Sequence, residues 1–295
     1  MKIKRSKGEY GFAVFNYLFM LCFAFITLYP FLYVLFASFS DASRLEYYSG
    51  LLYRPLGFSL DAYKAVLKNS EIWIGYRNTL LYVAVGTISS VICTGVAGYV
   101  SSRRDFFWNK FLQPFIAVTM FLNGGLIPTF IVMRGLGLYN NVLVLILPGL
   151  IGVYNMFVMR TGFDAVPKAL EESALIDGAN HIYIFVKIVV PLSLPTIAVI
   201  ALYCLVGHWN SWFTAMIYLR DRNLVPLQLF LREILIANET AQMDRFMDAG
   251  KTNAQTAAEA VKYAVTIVSV VPILCIYPFI QRYFVKGVMI GAVKG

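Results

Sequence analysis

Charged residues are scarce in this chain. They make up 14% of its 295 residues, whereas soluble domains carry about 25%. Hydrophobic residues make up 59%, which is more apolar surface than a soluble core can hide, so most of the surrounding medium must be lipid. No segment alternates apolar and polar residues over about ten positions, as a transmembrane β-strand would. The composition predicts an all-α polytopic membrane protein.

Carboxylates are missing from the long apolar runs. We predict six transmembrane helices at residues 12–39, 79–100, 111–132, 142–160, 192–219 and 260–283, and none of these runs contains Asp or Glu. Proton- and sodium-coupled carriers generally bind the coupling ion through a carboxylate or a cage of carbonyls at membrane depth. The missing carboxylates therefore argue against an autonomous ion-coupled carrier.

Sites for metals, redox chemistry and nucleotides are also missing from the sequence. The four cysteines lie in four different apolar runs without metal-ligand or redox spacing, which favours burial as small apolar side chains. Gly250-Lys251-Thr252 looks like the end of a phosphate-binding loop, but the glycine required five residues earlier is Arg245. We therefore expect no metal and no cofactor bound by this chain, and no enzymatic activity of its own.

The distribution of Lys and Arg predicts the orientation in the membrane. Basic residues dominate the short segments on one side, and the longer loops on the other side carry most of the acids. The positive-inside rule then places both termini in the cytoplasm. Residues 161–191 become a cytoplasmic loop and residues 40–78 and 220–259 become outer loops, all within one integral-membrane domain spanning 1–295. The net charge of +9 is thus a topology signal, and we expect no nucleic-acid partner.

The predicted cytoplasmic loop has the signals of two short helices. Pro167 suits a helix start, Gly178 is a natural stop, and a second helix starts at Asn180. We expect the first helix to present a small apolar knob with Glu172 beside it. The knob consists of Leu170, Ala174 and Ile176–Asp177. One interpretation is an amphipathic helix lying on the lipid headgroups. The other is a helix that docks in a groove of a soluble partner and moves as a rigid body.

Two predicted spans carry unusual polar groups. The third is interrupted by Asn123-Gly124-Gly125 and Pro128, which weaken a helix. An ordinary packed kink and a segment that lines a cavity both remain open for this break. The fifth contains His208-Trp209-Asn210-Ser211-Trp212, the most polar cluster in any span. Its side chains either pack between helices or face a transport path.

The loop pattern resembles a known family. Glu172-Ser173-Ala174, Asp177-Gly178-Ala179, Phe185, Ile188 and Pro191-Leu192 match the EAA loop of binding-protein-dependent ABC transporter permeases. Asn78-Thr79, Gly98-Tyr99, Ser102-Arg103-Arg104 and Gly291–Gly295 are similar to the carbohydrate-uptake, MalG-like subclass. The stretches 121–129, 207–211 and 226–229 resemble the LplC/YtcP group within it.

The resemblance implies a MetI-like ABC importer permease fold in the cell membrane. It implies a heterodimer with a second permease subunit, two cytoplasmic ATPase subunits that hold ATP and Mg, and an extracytoplasmic solute-binding protein. The residues expected to couple to the ATPase are Glu171, Glu172, Ser173, Ala174, Asp177, Gly178 and Ala179. A candidate second ATPase contact is Val293, Lys294 and Gly295.

The expected cargo is a carbohydrate, most simply an oligosaccharide. Sugar paths use aromatic faces for stacking and neutral polar groups for hydroxyls, and the candidate path residues are Asn123, His208, Trp209, Asn210 and Trp212. The alternative is an ABC importer permease for a non-sugar solute such as a peptide or glycerol phosphate. A membrane enzyme or ion-coupled carrier is the third hypothesis, which the absences described above oppose.

Overall fold

A computed structural model describes residues 7–46, 48–103, 106–247 and 260–278. Its helices are α1 Lys7–Ser38, α2 Ala42–Glu46, α3 Asp61–Lys68, α4 Ser70–Ser102, α5 Asn109–Thr119, α6 Leu126–Gly135, α7 Val153–Asp164, α8 Lys168–Ile176, α9 His181–Ile184, α10 Val190–Leu192, α11 Leu194–Trp209, α12 Trp212–Tyr218, α13 Leu227–Met247 and α14 Ala260–Pro278. Short 3-10 turns lie at Val142–Leu145, Leu147–Gly149 and Arg222–Leu224. The described residues contain no strand, only an isolated antiparallel bridge between Ser40 and Phe58, so the all-α prediction is confirmed.

The chain divides into two compact units, one within Met1–Asn69 and Ile234–Val270 and the other within Ser70–Glu233 and Val271–Gly295. In the first unit, α1 is apolar around its whole circumference. Its most apolar stretch, which is long enough to cross a membrane, is not buried at all. A helix that is apolar on every side and unburied suits a lipid surrounding. Only its end enters a small core, where Ala37 packs with Leu45 and Leu52 and with the half-buried Tyr263.

In the second unit, α4 is the central helix and packs along α7 and α11. The approach to α7 is close because Gly98 has no side chain: a Cβ there would lie 3.1 Å from the Cβ of Met159 and 3.3 Å from the backbone nitrogen of Arg160. Small residues at helix crossings are the usual means of close packing inside a membrane. α4 thus connects two apolar clusters, one around Tyr82 and Phe230 and one that includes Tyr99 and Met159.

Three described helices, α1, α4 and α14, are long and apolar enough to cross a membrane alone. Two further spans arise if bent pairs are joined: residues 142–149 with α7, bent by 48°, and residues 181–192 with α11, bent by 84°. The larger bend lies at Ser193, between Pro191 and Pro195. Neither proline can donate a backbone hydrogen bond, and the preceding turn at Phe185–Val189 is a π-helix, a feature that often accompanies kinks.

The predicted third and fifth spans each contain two helices. Residues 111–132 fall on α5 and α6, which are separated at residues 120–125 by a turn in which Gly125 has φ of 84°. The Oδ1 of Asn123 accepts a hydrogen bond from the Gly125 N–H at 2.9 Å, so the side chain replaces a helical bond that the break removes. Residues 192–219 fall on α11 and α12, which are separated at Asn210 and Ser211.

Candidate functional site

A helix, a glycine turn and a second helix start form a corner between α7 and α11. α8 ends at Ile176, and Gly178 follows with φ of 83°, a conformation that glycine adopts without steric cost. The Gly178 N–H donates to the carbonyl of Leu175 at 3.0 Å, and the Ala179 N–H donates to that of Ala174 at 2.9 Å. These two bonds define a Schellman motif. The predicted helix stop at Gly178 is confirmed.

The second helix start is capped as predicted. The Asn180 side chain accepts a hydrogen bond from the Tyr183 N–H at 2.8 Å, which is the standard action of an N-cap residue. α9 then continues through the π-helical turn into α10. The corner is therefore closed at both ends by its own hydrogen bonds, and we name it the α8–α9 corner, residues 168–184.

The residues of α8 differ strongly in burial. Glu171 is buried, whereas Glu172 and Ser173 are exposed and Ile176 is 86% exposed. Ala174 is half-buried against the cluster that includes Tyr99 and Met159, so it does not belong to the expected knob. It lies three residues beyond Glu171, hence on the same inward face of the helix.

The Glu171 carboxylate pairs with the guanidinium of Arg103, directly after the end of α4. Both terminal nitrogens of Arg103 donate to it: Nη1 to Oε2, and Nη2 to Oε1 at 3.0 Å. The Glu171 side chain is only 9% exposed and that of Arg103 24%. A fork-to-fork pair of this kind is strong and geometrically specific. Of the expected coupling residues, Glu171 thus has a partner inside its own chain.

At the other end of α4, hydrogen bonds hold the segment before α13 in place. The Asn78 side chain donates to the carbonyls of Asn223 at 2.6 Å and Val225 at 3.0 Å. The Thr79 hydroxyl accepts the Leu227 N–H at 2.9 Å. A buried amide with both of its N–H bonds used is costly to replace. Asn78-Thr79 therefore fixes where the chain enters α13.

A charged cluster surrounds the same segment. Arg222 pairs with Glu233 at 2.7 Å and with Glu71 at 3.0 Å, and its guanidinium lies 4.6 Å from the ring centre of Phe230. Burial alone would lower the pKa of Arg222, but the two carboxylates raise it above its ordinary value. Through its two ion pairs, Arg222 ties α4 to α13.

In the polar cluster of the fifth predicted span, some side chains pack between helices and others are exposed. His208 packs into a notch on α4, because a Cβ built on Gly86 would lie 2.6 Å from His208 Nε2. Trp209 is 1% exposed, and its indole N–H has no hydrogen-bond partner within the part of the chain that the structure describes. Within this single chain, both side chains pack between helices. Packing was one of the two interpretations of this cluster, and a transport path was the other.

Asn123 lines a cavity of about 460 Å³ in the second unit. The wall also includes Thr129 of α6 and Phe213 and Thr214 of α12. The lining is mostly apolar and includes a few polar side chains, which is usual for small-molecule sites. Phe213 and Thr214 were not among the sequence-based candidates, although they directly follow Trp212.

Asn210 and Trp212 flank the break between α11 and α12. Asn210 is exposed, and its carbonyl accepts the Trp212 N–H at 2.8 Å. The guanidinium of Arg232 stacks over the Trp212 ring at 3.6 Å from its centre. Of the five candidate path residues, Asn123 is the one that lines the cavity of about 460 Å³. Val293, Lys294 and Gly295, as well as the stretch 250–252, lie outside the described residues.

Apolar helices that are bent or interrupted within several predicted spans, with a helix–glycine–helix corner next to one end of the central helix α4, suit a membrane transport permease. The family model described as "Binding-protein-dependent transport system inner membrane component" matches residues 90–290. The chain therefore belongs to this family of ABC transporter permeases.

Similar proteins extend over nearly the whole chain. The polygalacturonan/rhamnogalacturonan transport system permease protein YtcP of Bacillus subtilis is 38% identical, covering 96% of this chain and 98% of the relative. Protein LplC of the same organism is 36% identical, covering 98% and 97%. A chain in the crystal structure of a bacterial ABC transporter involved in the import of the acidic polysaccharide alginate has a TM-score of 0.84 and 30% identity, covering 96% of this chain and 100% of that chain.

Proposed function

We propose that this chain is a permease subunit of an ATP-driven ABC importer that translocates an oligosaccharide. In the proposed complex it pairs with a second permease subunit, two cytoplasmic ATPase subunits bind ATP and Mg, and an extracytoplasmic solute-binding protein delivers the cargo. Family membership supports the permease role. The substrates named for YtcP and for the alginate importer support a carbohydrate cargo.

The observation that carries the coupling part of the proposal is the α8–α9 corner. It presents an exposed acid, Glu172, beside the exposed apolar Ile176. The Schellman turn at Gly178 fixes the direction in which the chain leaves α8. An apolar knob with a charge at its rim fits a groove on a soluble protein. In the proposal, closure of the ATPase subunits pushes this corner, and the permease changes from inward-facing to outward-facing.

The proposed orientation places the α8–α9 corner and both termini in the cytoplasm. The end of α4 that carries Asn78 then lies on the outer side, together with the start of α13. The hydrogen bonds of Asn78 and Thr79 give this outer segment a fixed position, which suits a surface that receives a binding protein. The cavity beside Asn123 is the proposed stretch of the sugar path that this chain supplies.

Uptake by the reconstituted complex tests the function. The permease pair and the ATPase subunits are placed in proteoliposomes, with the binding protein on one side and ATP on the other. We expect accumulation of labelled oligogalacturonides or neutral oligosaccharides that requires ATP and the binding protein together. Omission of this chain is the matched control. Uptake of none of these sugars, while a peptide or glycerol phosphate is accumulated, would contradict the carbohydrate assignment.

A further inference from the structure

Within the α8–α9 corner, α8 is joined to the end of α4 by a buried ion pair. On the inward face of α8, Glu171 is the buried charged residue, and its carboxylate is held by both terminal nitrogens of Arg103. The half-buried Ala174 and Ala179 add apolar contacts. The rest of the described surface of α8 is exposed. Contacts of two alanine methyl groups are weak, so the ion pair is the strongest and most directional attachment of α8.

Arg103 is itself held in place from two sides. Its Nε and Nη2 donate to the Ser102 hydroxyl at 3.3 and 3.2 Å. The Ser102 hydroxyl donates in turn to the Tyr99 carbonyl at 2.7 Å, and the Tyr99 ring lies 4.3 Å from the guanidinium carbon. The guanidinium is therefore held in orientation by groups other than Glu171, which makes the contact rigid.

Tyr99 links the same point to the other cytoplasmic elements of the proposed topology. Its ring centre lies 4.6 Å from that of Phe185 in the π-helical turn and 6.5 Å from that of Phe163 in α7. Its hydroxyl donates to the carbonyl of His181 at the start of α9, at 3.4 Å. The Arg103–Glu171 pair therefore lies on top of a cluster in which α4, α7 and α9 meet.

A chain of hydrogen bonds extends from Arg103 to α5. The Asn109 side chain donates to the Arg103 carbonyl at 2.7 Å and to the Ser101 carbonyl at 2.9 Å. Gln113 donates to the same Ser101 carbonyl at 3.0 Å and accepts from Arg160 Nη1 of α7 at 2.7 Å. α5 leads to the break at residues 120–125, beside the cavity that Asn123 lines.

We infer that the Arg103–Glu171 pair is a positioning pair for transport: it transmits the displacement of α8 to α4 and, through Asn109 and Gln113, to α5 and α7. This inference rests on the proposed function, since it presumes that α8 is what the ATPase moves. Glu172 and Ile176 contact the partner, and Glu171 holds the helix that carries them. A contact that transmits motion needs a rigid body on both sides, and both sides of this pair are fixed by further bonds.

Arg103→Gln tests the pair without touching the exposed face of α8. The variant complex is expected to purify with its ATPase subunits and to keep its basal ATP hydrolysis, because Glu172 and Ile176 are unchanged. Transport per ATP hydrolysed, and the stimulation of ATPase by loaded binding protein, should fall at least about fivefold, the lower end of allosteric coupling. Arg103→Lys should lie between Arg103→Gln and the unchanged chain, since it keeps the charge and loses the fork.

The second variant combines Arg103→Glu and Glu171→Arg in one chain, so that the two charges change places. It restores opposite charges, so it should recover part of the transport per ATP that the single change Arg103→Glu loses. Unaltered transport per ATP in Arg103→Gln would overturn the inference. It would also be overturned if the ATPase subunits were lost in proportion to transport, because the pair would then serve docking or folding. A wild-type complex that captures no ATPase would instead contradict the proposed function itself.

Discussion

At the scale of single residues, two adjacent glutamates show how position on a helix decides a role. Glu171 and Glu172 are identical in chemistry, yet one is buried on Arg103 and the other is exposed. A helix turns about 100° per residue, so adjacent side chains point in different directions and can differ in burial. The sequence places both in the expected coupling set, and the fold separates them into a buried residue paired with Arg103 and an exposed one.

Gly178 is the residue whose replacement tests the turn. Its φ of 83° costs an L-residue about 1–2 kcal/mol, and a Cβ there would meet nothing within 4 Å. Gly178→Ala should therefore lower the thermal unfolding temperature of the purified complex through backbone strain alone, and weaken capture of the ATPase. Gly135→Ala is the matched control, since it also has open space but no positive φ. Equal unfolding temperatures for the two variants would contradict the role of the turn.

At the scale of elements, the α4–α11 contact depends on a notch. The missing side chain at Gly86 leaves room for the His208 ring, and any Cβ there would lie 2.6–2.8 Å from three ring atoms. The Ser90 hydroxyl lies 3.5 Å from Nε2 of the same ring. His208 thus packs α11 against α4, in the manner of small-residue contacts between transmembrane helices.

Gly86→Ala tests this contact. It should destabilise the complex by about 1–3 kcal/mol in thermal or denaturant unfolding, as overpacking does. Gly95→Ala on the same helix is the control, because its nearest side-chain atom would be 3.7 Å from the new Cβ. Adding His208→Ala to Gly86→Ala should restore part of the loss. The packing role is contradicted if Gly86→Ala costs no more than Gly95→Ala, or if the second change brings no relief.

The elements were predictable where a local signal determines them. Pro167, Gly178 and Asn180 are start and stop residues, and α8 and α9 begin and end where they indicate. The break at Asn123-Gly124-Gly125 was visible for the same reason. The separation of α11 from α12 was not, because His208–Trp212 contains no proline or glycine. The partner of Glu171 was also hidden, since Arg103 lies 68 residues away, and only the tertiary fold brings the two together.

At the scale of the whole molecule, the single chain exposes much apolar surface. Phe12, Tyr17 and Phe107 are among many large apolar side chains that lie more than half exposed. Such surface is expected of a subunit that lipid and a second permease subunit cover. The family match over residues 90–290 agrees with a chain that works together with partner subunits.

The most direct measurement of attachment is the capture of ATPase subunits by a Glu172→Lys variant. The tagged chain is co-expressed with the second permease subunit and the ATPase, and the amount of ATPase per permease is measured after purification. Reversing a charge at a docking contact should lower capture at least about tenfold, with uptake lost in parallel. Asp61→Lys is the matched control, because it makes the same charge change at an exposed position of α3, and it should capture as much ATPase as the unchanged chain. Undiminished capture and uptake in Glu172→Lys would contradict coupling through the α8–α9 corner.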